Sequence, residues 1–144
     1  MSAVWMNKLE IPPVKRLMTP FPFSLQAADS LAIAREMMAS HGIHHLPVKH
    51  KGELVGVVSE RDLRGVSDDD SIAVSLVMSS PPFVVDLNQP IDQVLLEMAR
   101  RNVGCALVSR GDQLAGILTT TDACREFARL VRHRAGKSDE GGVA

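Results

Sequence analysis

The 144-residue chain has very few aromatic residues and only two cysteines. Aromatics make up 3% of the sequence, so the interior must be built from Val, Ile, Leu, Met and Ala, which favours small helix-on-sheet layers over aromatic-rich sandwiches. The cysteines, Cys105 and Cys124, do not form a CxxC pair, and no charged-then-apolar leader is present. We therefore expect reduced thiols in a cytoplasmic protein.

An excess of charge and a long apolar run are also missing. The formal net charge is −1, whereas nucleic-acid binding normally needs a strongly basic face, so this class of partner is disfavoured. No apolar run approaches the length that spans a membrane, so we expect no membrane partner. With 45% hydrophobic residues, the chain fits one globular domain or two half-size units that share a core.

What the sequence does contain is an internal repeat with a constant offset of 60 residues. The segment VKRLMTPFPF, which begins at Val14, corresponds to VSLVMSSPPF, which begins at Val74, and the offset continues without a gap to Asp62 and Asp122. The identical pairs are Val14/Val74, Met18/Met78, Pro22/Pro82, Phe23/Phe83, Met38/Met98, Ala39/Ala99, Val48/Val108, Leu54/Leu114, Gly56/Gly116 and Asp62/Asp122. This self-similarity indicates a duplicated supersecondary unit.

Both units are predicted to contain the same elements. A short helical turn and a brief extended segment precede an amphipathic helix, which Asp29 or Ser30 caps in the first unit and which begins near Pro90 in the second. Gly42 and Asn102 suit the left-handed position after these helices. Hairpins are predicted over 45–49 with 54–59 and over 105–110 with 114–119, and each is followed by a final helix.

The repeat also suggests the division of the chain. We expect an N-terminal segment at 1–12, a first unit with its linker at 13–70, a second unit at 71–134 and a disordered tail at 135–144. The linker contains three consecutive aspartates, and the tail is rich in small and polar residues, which is typical of solvated, frayed segments.

The order of elements, the LPV of the first hairpin strand and the pattern Gly-apolar-apolar-Ser/Thr-x-x-Asp at the end of the second strand resemble the cystathionine-β-synthase-type (CBS) domain. The resemblance covers about residues 14–127. It implies an α+β fold in which two β-α-β-β-α repeats pack through their sheets as a pseudo-twofold module, and two modules form a homodimer. It further implies a stand-alone regulatory pair that is not an enzyme and binds AMP, ADP, ATP or S-adenosylmethionine in the clefts between repeats.

The ligand motif of this family occurs twice, ending in Ser59 and Asp62 in the first unit and in Thr119 and Asp122 in the second. A carboxylate at the start of a helix can accept hydrogen bonds from ribose hydroxyls, and the neighbouring hydroxyl and free N–H groups favour a phosphate. The same residues also fit an ordinary capping box, and the two interpretations are compatible.

Four further residues are candidates for the base and the phosphates. By resemblance, Ile43 and Val103 form the walls of an adenine slot, although simple core packing is an equal alternative for both. Arg61 and His44 supply positive charge near the phosphates. Because Thr121 is the counterpart of Arg61, we expect tighter phosphate binding in the cleft that Arg61 faces.

Other chemistries have weaker support. Four histidines, at positions 41, 44, 45 and 50, lie within ten residues, but neighbouring residues of a strand point to opposite faces, so surface or cleft histidines are favoured over a metal site. No GxSxG, HExxH or P-loop motif is present, so we expect no catalytic residues and no catalytic cofactor. The alternative to nucleotide binding is a ligand-free association module. It would use the apolar faces of 91–99 and 127–131 to bind its own copy or an unidentified protein target.

Overall fold

The computed structural model describes residues 10–66 and 68–142. The first repeat contains a 3₁₀ turn (Val14–Arg16), strands β1 (Thr19–Pro20) and β2 (Leu25–Gln26), helix α1 (Leu31–His41), strands β3 (His45–His50) and β4 (Glu53–Ser59), and helix α2 (Glu60–Arg64). The second contains a 3₁₀ turn (Val74–Leu76), strand β5 (Val84–Asp86), helix α3 (Ile91–Arg101), strands β6 (Cys105–Arg110) and β7 (Gln113–Thr119), and helix α4 (Thr120–Gly142). The predicted β-α-β-β-α order and the α+β class are confirmed.

The ends of the two long core helices follow the local signals in the sequence. Ser30 is the N-cap of α1, where its hydroxyl accepts a hydrogen bond from the Ile33 N–H at 3.3 Å. Asp29, the other candidate for this cap, instead accepts from the Gln26 N–H at 2.7 Å. Gly42 and Asn102 end α1 and α3 in the left-handed conformation, with φ of 62° and 55°, as predicted.

Each repeat has its own sheet, against which its long helix packs. Strand β2 pairs parallel with β3, which pairs antiparallel with β4. The second repeat reproduces this order with β5, β6 and β7. A smaller apolar cluster of Val57, Cys105, Leu107 and Ile117 joins residues of the two sheets. The sheets therefore meet through the strands that precede the two copies of the ligand motif.

The two 3₁₀ turns are exchanged between the repeats. Val14 is fully buried in the core of the second repeat, and its N–H donates to the Gln89 carbonyl at 2.8 Å. Val74 is buried in the core of the first repeat, and its N–H donates to the Asp29 carbonyl at 2.7 Å. The chain then continues along the other repeat's sheet, because β1 pairs antiparallel with β7. The repeats are thus separate in sequence but interlocked in space.

Some element ends differ from the predictions. Strands β3, β4 and β7 extend by one residue at the hairpin turns. Helix α4 continues to Gly142 and so includes 135–142, which were assigned to a disordered tail, because adding a residue to a formed helix requires little ordering compared with starting one. Most of the predicted N-terminal segment, at 1–9, lies outside the described residues. No helix in the described part of the chain is long and apolar enough to cross a membrane.

Candidate functional site

A cavity of about 690 Å³ lies between the two repeats, beside the start of α2. Both repeats contribute to its walls. The first repeat provides His44, His45, Val57, Ser59, Glu60, Arg61, Asp62 and Arg64, and the second provides Ser79, Pro81, Pro82, Phe83, Asn102, Val103, Gly104, Cys105 and Thr120. The first copy of the ligand motif therefore shares the cavity with residues of the second repeat, from Ser79 to Thr120.

The polar wall of the cavity is built around a capping box at the start of α2. The Ser59 N–H donates to Asp62 Oδ2 at 2.8 Å, and the Asp62 N–H donates to Ser59 Oγ at 3.1 Å. This reciprocal pair fixes both side chains beside the cavity. The second carboxylate oxygen, Asp62 Oδ1, has no hydrogen-bond partner among the described residues, so it is available to a ligand.

Four charged or titratable side chains surround this corner. The His44 imidazole N–H donates to Glu60 Oε2, and Arg64 Nη2 donates to Glu60 Oε1 at 3.4 Å. The hydrogen bond from His44, together with Arg64, lowers the pKa of the Glu60 carboxyl, which favours its ionised form. Arg61 is exposed at the cavity and makes no hydrogen bond or ion pair within the described ranges. Among the described residues of this corner, the Arg61 guanidinium is therefore the cation without a partner.

Deeper in the cavity, burial keeps two titratable groups neutral. Burial lowers the pKa of the His45 imidazole, and the neighbouring His44 adds to this effect, while Asp62 and Asp122 act in the opposite direction. Burial, with a contribution from the Asp62 charge, raises the pKa of the Cys105 thiol to about 12. Such a thiol stays protonated near neutral pH, so Cys105 fills space and is not an activated nucleophile.

The second repeat also lines the cavity with apolar side chains. Val103 lies there with Pro82 and Phe83, and the Arg101 guanidinium carbon lies 4.6 Å from the centroid of the Phe83 ring. The equivalent contact in the first repeat is a stack of Phe23 on the His41 ring, with centroids 3.8 Å apart. Both contacts hold the phenylalanine against the end of its repeat's long helix.

The structure divides the eight sequence candidates into two groups. Five of them line the cavity, namely His44, Ser59, Arg61, Asp62 and Val103. The other three are not among its lining residues: Thr119 and Asp122 form the equivalent capping box at the start of α4, and Ile43 packs against the core of the first repeat. Pro82 and Phe83 also line the cavity but are not among the candidates predicted from the sequence. The available signal was that both residues are identical in the two repeats.

The histidine cluster does not assemble into a metal centre. His41 stacks on Phe23, His44 binds Glu60, and His45 points into the cavity. Within the ranges that the structure describes, no group of three or more His, Cys, Asp or Glu side chains is placed to hold a metal ion.

Comparison with known proteins identifies the family. Residues 14–69 and 72–129 each match the model of the CBS domain, and the chain therefore belongs to the CBS domain family. It is 32% identical over 114 residues to inosine-5'-monophosphate dehydrogenase of Korarchaeum cryptofilum, an alignment that covers 78% of this chain and 23% of the dehydrogenase. The chain thus spans less than a quarter of that relative.

A CBS domain-containing protein of Dictyostelium discoideum is 26% identical over 125 residues, which covers 76% of this chain and 86% of that protein. Among solved structures, the CBS domain pair of protein MJ0100, in complex with 5'-methylthioadenosine and S-adenosylmethionine, has a TM-score of 0.75 at 24% identity. The match covers 82% of this chain and 97% of that chain. The family and the fold that the repeat motifs predict are therefore confirmed.

Proposed function

We propose that the chain is a regulatory module, without catalytic activity of its own, that binds an adenosine-containing ligand in the cavity between its repeats. AMP, ADP, ATP and S-adenosylmethionine are the candidate ligands. The observation that carries the proposal is that one cavity is lined both by a hydrogen-bonding corner of the first repeat, Ser59 and Asp62, and by apolar side chains of the second, Phe83 and Val103. A volume of about 690 Å³ is within the range that small-molecule sites occupy.

Each part of the ligand has a matching group. Asp62 Oδ1 can accept a hydrogen bond from a ribose hydroxyl, because only Oδ2 is used in the capping box. Arg61, which has no partner in the described chain, can reach a phosphate in a charge-assisted contact. Val103 and Pro82 offer apolar surface to a base. The neutral His45 adds a polar group without adding charge.

The relatives support a regulatory role of this kind. The CBS pair of MJ0100 is in complex with two adenosyl compounds. All four candidate ligands contain the same adenosyl group. The matched portion of the K. cryptofilum dehydrogenase is a minor part of an enzyme. We propose that this chain acts on another protein in the cytoplasm, by binding nucleotide at a site that two interlocked repeats share.

A binding assay with matched variants tests the proposal. Asp62→Asn removes the charge that would hold the ribose, and Asp122→Asn makes the same change at the capping box outside the cavity. Thermal unfolding and calorimetry with AMP, ADP, ATP and S-adenosylmethionine should show that one or more of them stabilises the wild type. Asp62→Asn should weaken this binding about tenfold to a hundredfold, the range for a charged hydrogen bond, while Asp122→Asn retains it. The proposal fails if none of the four ligands binds, or if both variants bind like the wild type.

A second candidate is ligand-free association, which the exposed surface favours. Most of the predicted stripe on α3 is core, since Ile91, Val94 and Met98 are buried, but Leu96 is 70% exposed. On α4, Phe127 and Val131 are 69% and 51% exposed. They lie four positions apart and therefore on one face of the helix. We propose that this face contacts a second copy of the chain in a homodimer.

A further inference from the structure

The geometry points to one bound nucleotide per chain, because the second motif copy has Thr121 in place of Arg61 and its carboxylate already pairs with Arg125. This inference rests on the proposed function, and it concerns how the two copies differ. Their capping boxes have the same form: the Thr119 N–H donates to Asp122 Oδ2 at 3.0 Å, and the Asp122 N–H donates to Thr119 Oγ1 at 3.1 Å. The backbone therefore presents both aspartates in the same way.

The copies differ at the second oxygen of the aspartate. Arg125 Nη1 donates to Asp122 Oδ1 at 3.3 Å. Both oxygens of this carboxylate therefore accept hydrogen bonds from the chain itself. At the equivalent position of the first copy stands Gly65, which has no side chain to offer. The carboxylate oxygen that a ribose would use has no partner among the described residues in the first copy, whereas in the second copy Arg125 competes for it.

The two copies also differ at the positions that could contact a phosphate. Thr121 replaces Arg61, and Gly104 replaces His44. The arginine that the second copy does have, Arg125, is held by Asp122. A phosphorylated ligand at the second copy would therefore lose a charge-assisted contact and would also have to displace an internal ion pair.

The size of each effect supports a clear difference in affinity. Arg125 is largely exposed, and an exposed ion pair opposes a competing ligand by less than about tenfold. The missing arginine contact weakens phosphate binding by about a further tenfold or more. Together they make the second copy weaker by more than about tenfold, so a single site is expected at ligand concentrations that just fill the first.

Converting each copy into the other tests the inference. Isothermal titration of the full chain with AMP and with ATP should give one site for the wild type. The double variant Thr121→Arg, Arg125→Ala removes the competing arginine and restores the cation, and it should show a second site.

In the first copy, Gly65→Arg should weaken binding several-fold, whereas Gly65→Ala should not. The backbone at Gly65 has φ of −90°, and a Cβ there would meet no atom within 4 Å, so neither change strains the backbone or crowds the Cβ.

The outcomes separate this inference from the function on which it rests. Two sites of similar affinity in the wild type would overturn it, and so would a double variant that still binds one ligand. A single site that Asp122→Asn removes and Asp62→Asn leaves intact would also overturn it. If neither AMP nor ATP binds to any variant, the proposed function itself fails for these nucleotides, and the inference fails with it.

Discussion

Two glycines are required where the chain crosses from one repeat to the other. A Cβ on Gly116 would lie 2.4 Å from Met18 Sδ and 2.9 Å from the Thr19 carbonyl oxygen. A Cβ on Gly56 would lie 2.6 Å from Met78 Sδ and 2.8 Å from the Ser79 carbonyl oxygen. A methionine can move, but a backbone carbonyl that pairs with the strand cannot move without disturbing the pairing. Glycine is therefore required here for space, not for an unusual φ.

Gly116→Ala should lower the free energy of unfolding by about 1–3 kcal/mol, the usual cost of overpacking a filled interior. Gly136→Ala is the matched control, because a Cβ there meets no atom within 4 Å. Since Gly136 lies within helix α4, alanine should leave stability unchanged or raise it by up to about 1 kcal/mol. Urea unfolding of both variants measures the difference. Equal stabilities of the two variants would show that Met18 and Thr19 move to accommodate the added Cβ at little cost in free energy.

His45 makes stability sensitive to mild acid. Its pKa in the folded state is below the ordinary value of 6.5, chiefly because burial disfavours the imidazolium. As the pH falls, His45 is therefore protonated in the unfolded chain before it is protonated in the folded chain. The stability that is present above about pH 6.5 is lost as the pH falls from there through the pKa of His45 in the folded state. The wild type should be less stable at about pH 5.5 than at about pH 7.5.

The variant His45→Gln cannot take up this proton and should show a smaller loss between the two pH values. His50→Gln is the control, since His50 is exposed at the end of β3. Urea unfolding at both pH values checks the prediction. If His45→Gln and His50→Gln lose stability as the wild type does, another group controls the acid response.

At the scale of elements, the sequence predicted what short-range contacts determine. Ser59 and Asp62 form the expected capping box because its partners lie three residues apart, and Gly42 ends its helix through its own φ. The exchange of the 3₁₀ turns depends on long-range contacts, such as Val14 with Gln89 and Val74 with Asp29, which periodicity does not reveal. The same applies to Phe83, which the sequence does not predict as a lining residue of the cavity. Its segment meets the first repeat where Ser79 pairs with Val57, and all three residues line the cavity.

The exchanged turns predict how the chain can be divided. A fragment of residues 24–79 contains β2 to α2 together with the Val74 turn that completes their core, whereas residues 10–66 have nearly the same length but lack this turn. The first fragment should show more helix by circular dichroism and stronger protection from hydrogen exchange. Replacing Val74 by Asp in that fragment should remove the advantage, because the side chain is fully buried. Equal signals from the two fragments would mean that the turn adds little to folding.

At the scale of the whole molecule, the interlocked repeats explain how a small ligand could have a regulatory effect. The cavity joins Asp62 of the first repeat to Val103 of the second, and the cluster around Leu107 connects the two sheets. A ligand that contacts both walls favours one arrangement of the repeats only if it binds that arrangement more tightly. The exposed face of α4 is the surface through which such a change could reach a second chain.

Association through this face should depend on Phe127 and Val131. Changing both to Glu should convert a dimer into a monomer in analytical ultracentrifugation and should leave the free energy of unfolding of the monomer almost unchanged, because both side chains are already exposed. Leu76→Glu is the control, since Leu76 is 76% exposed on a different element. A wild type that sediments as a monomer would contradict the prediction.

The same measurement, repeated with AMP or ATP, relates the two candidate functions. If nucleotide changes the dimerisation constant by some factor, dimerisation must change the nucleotide affinity by the same factor, because both describe one coupling free energy. We expect such a shift, and Asp62→Asn should remove it while the dimer persists. A dimer that is indifferent to nucleotide, in a chain that binds nucleotide, would mean that the cavity and the α4 face act independently, and that the regulatory signal leaves the molecule by another surface.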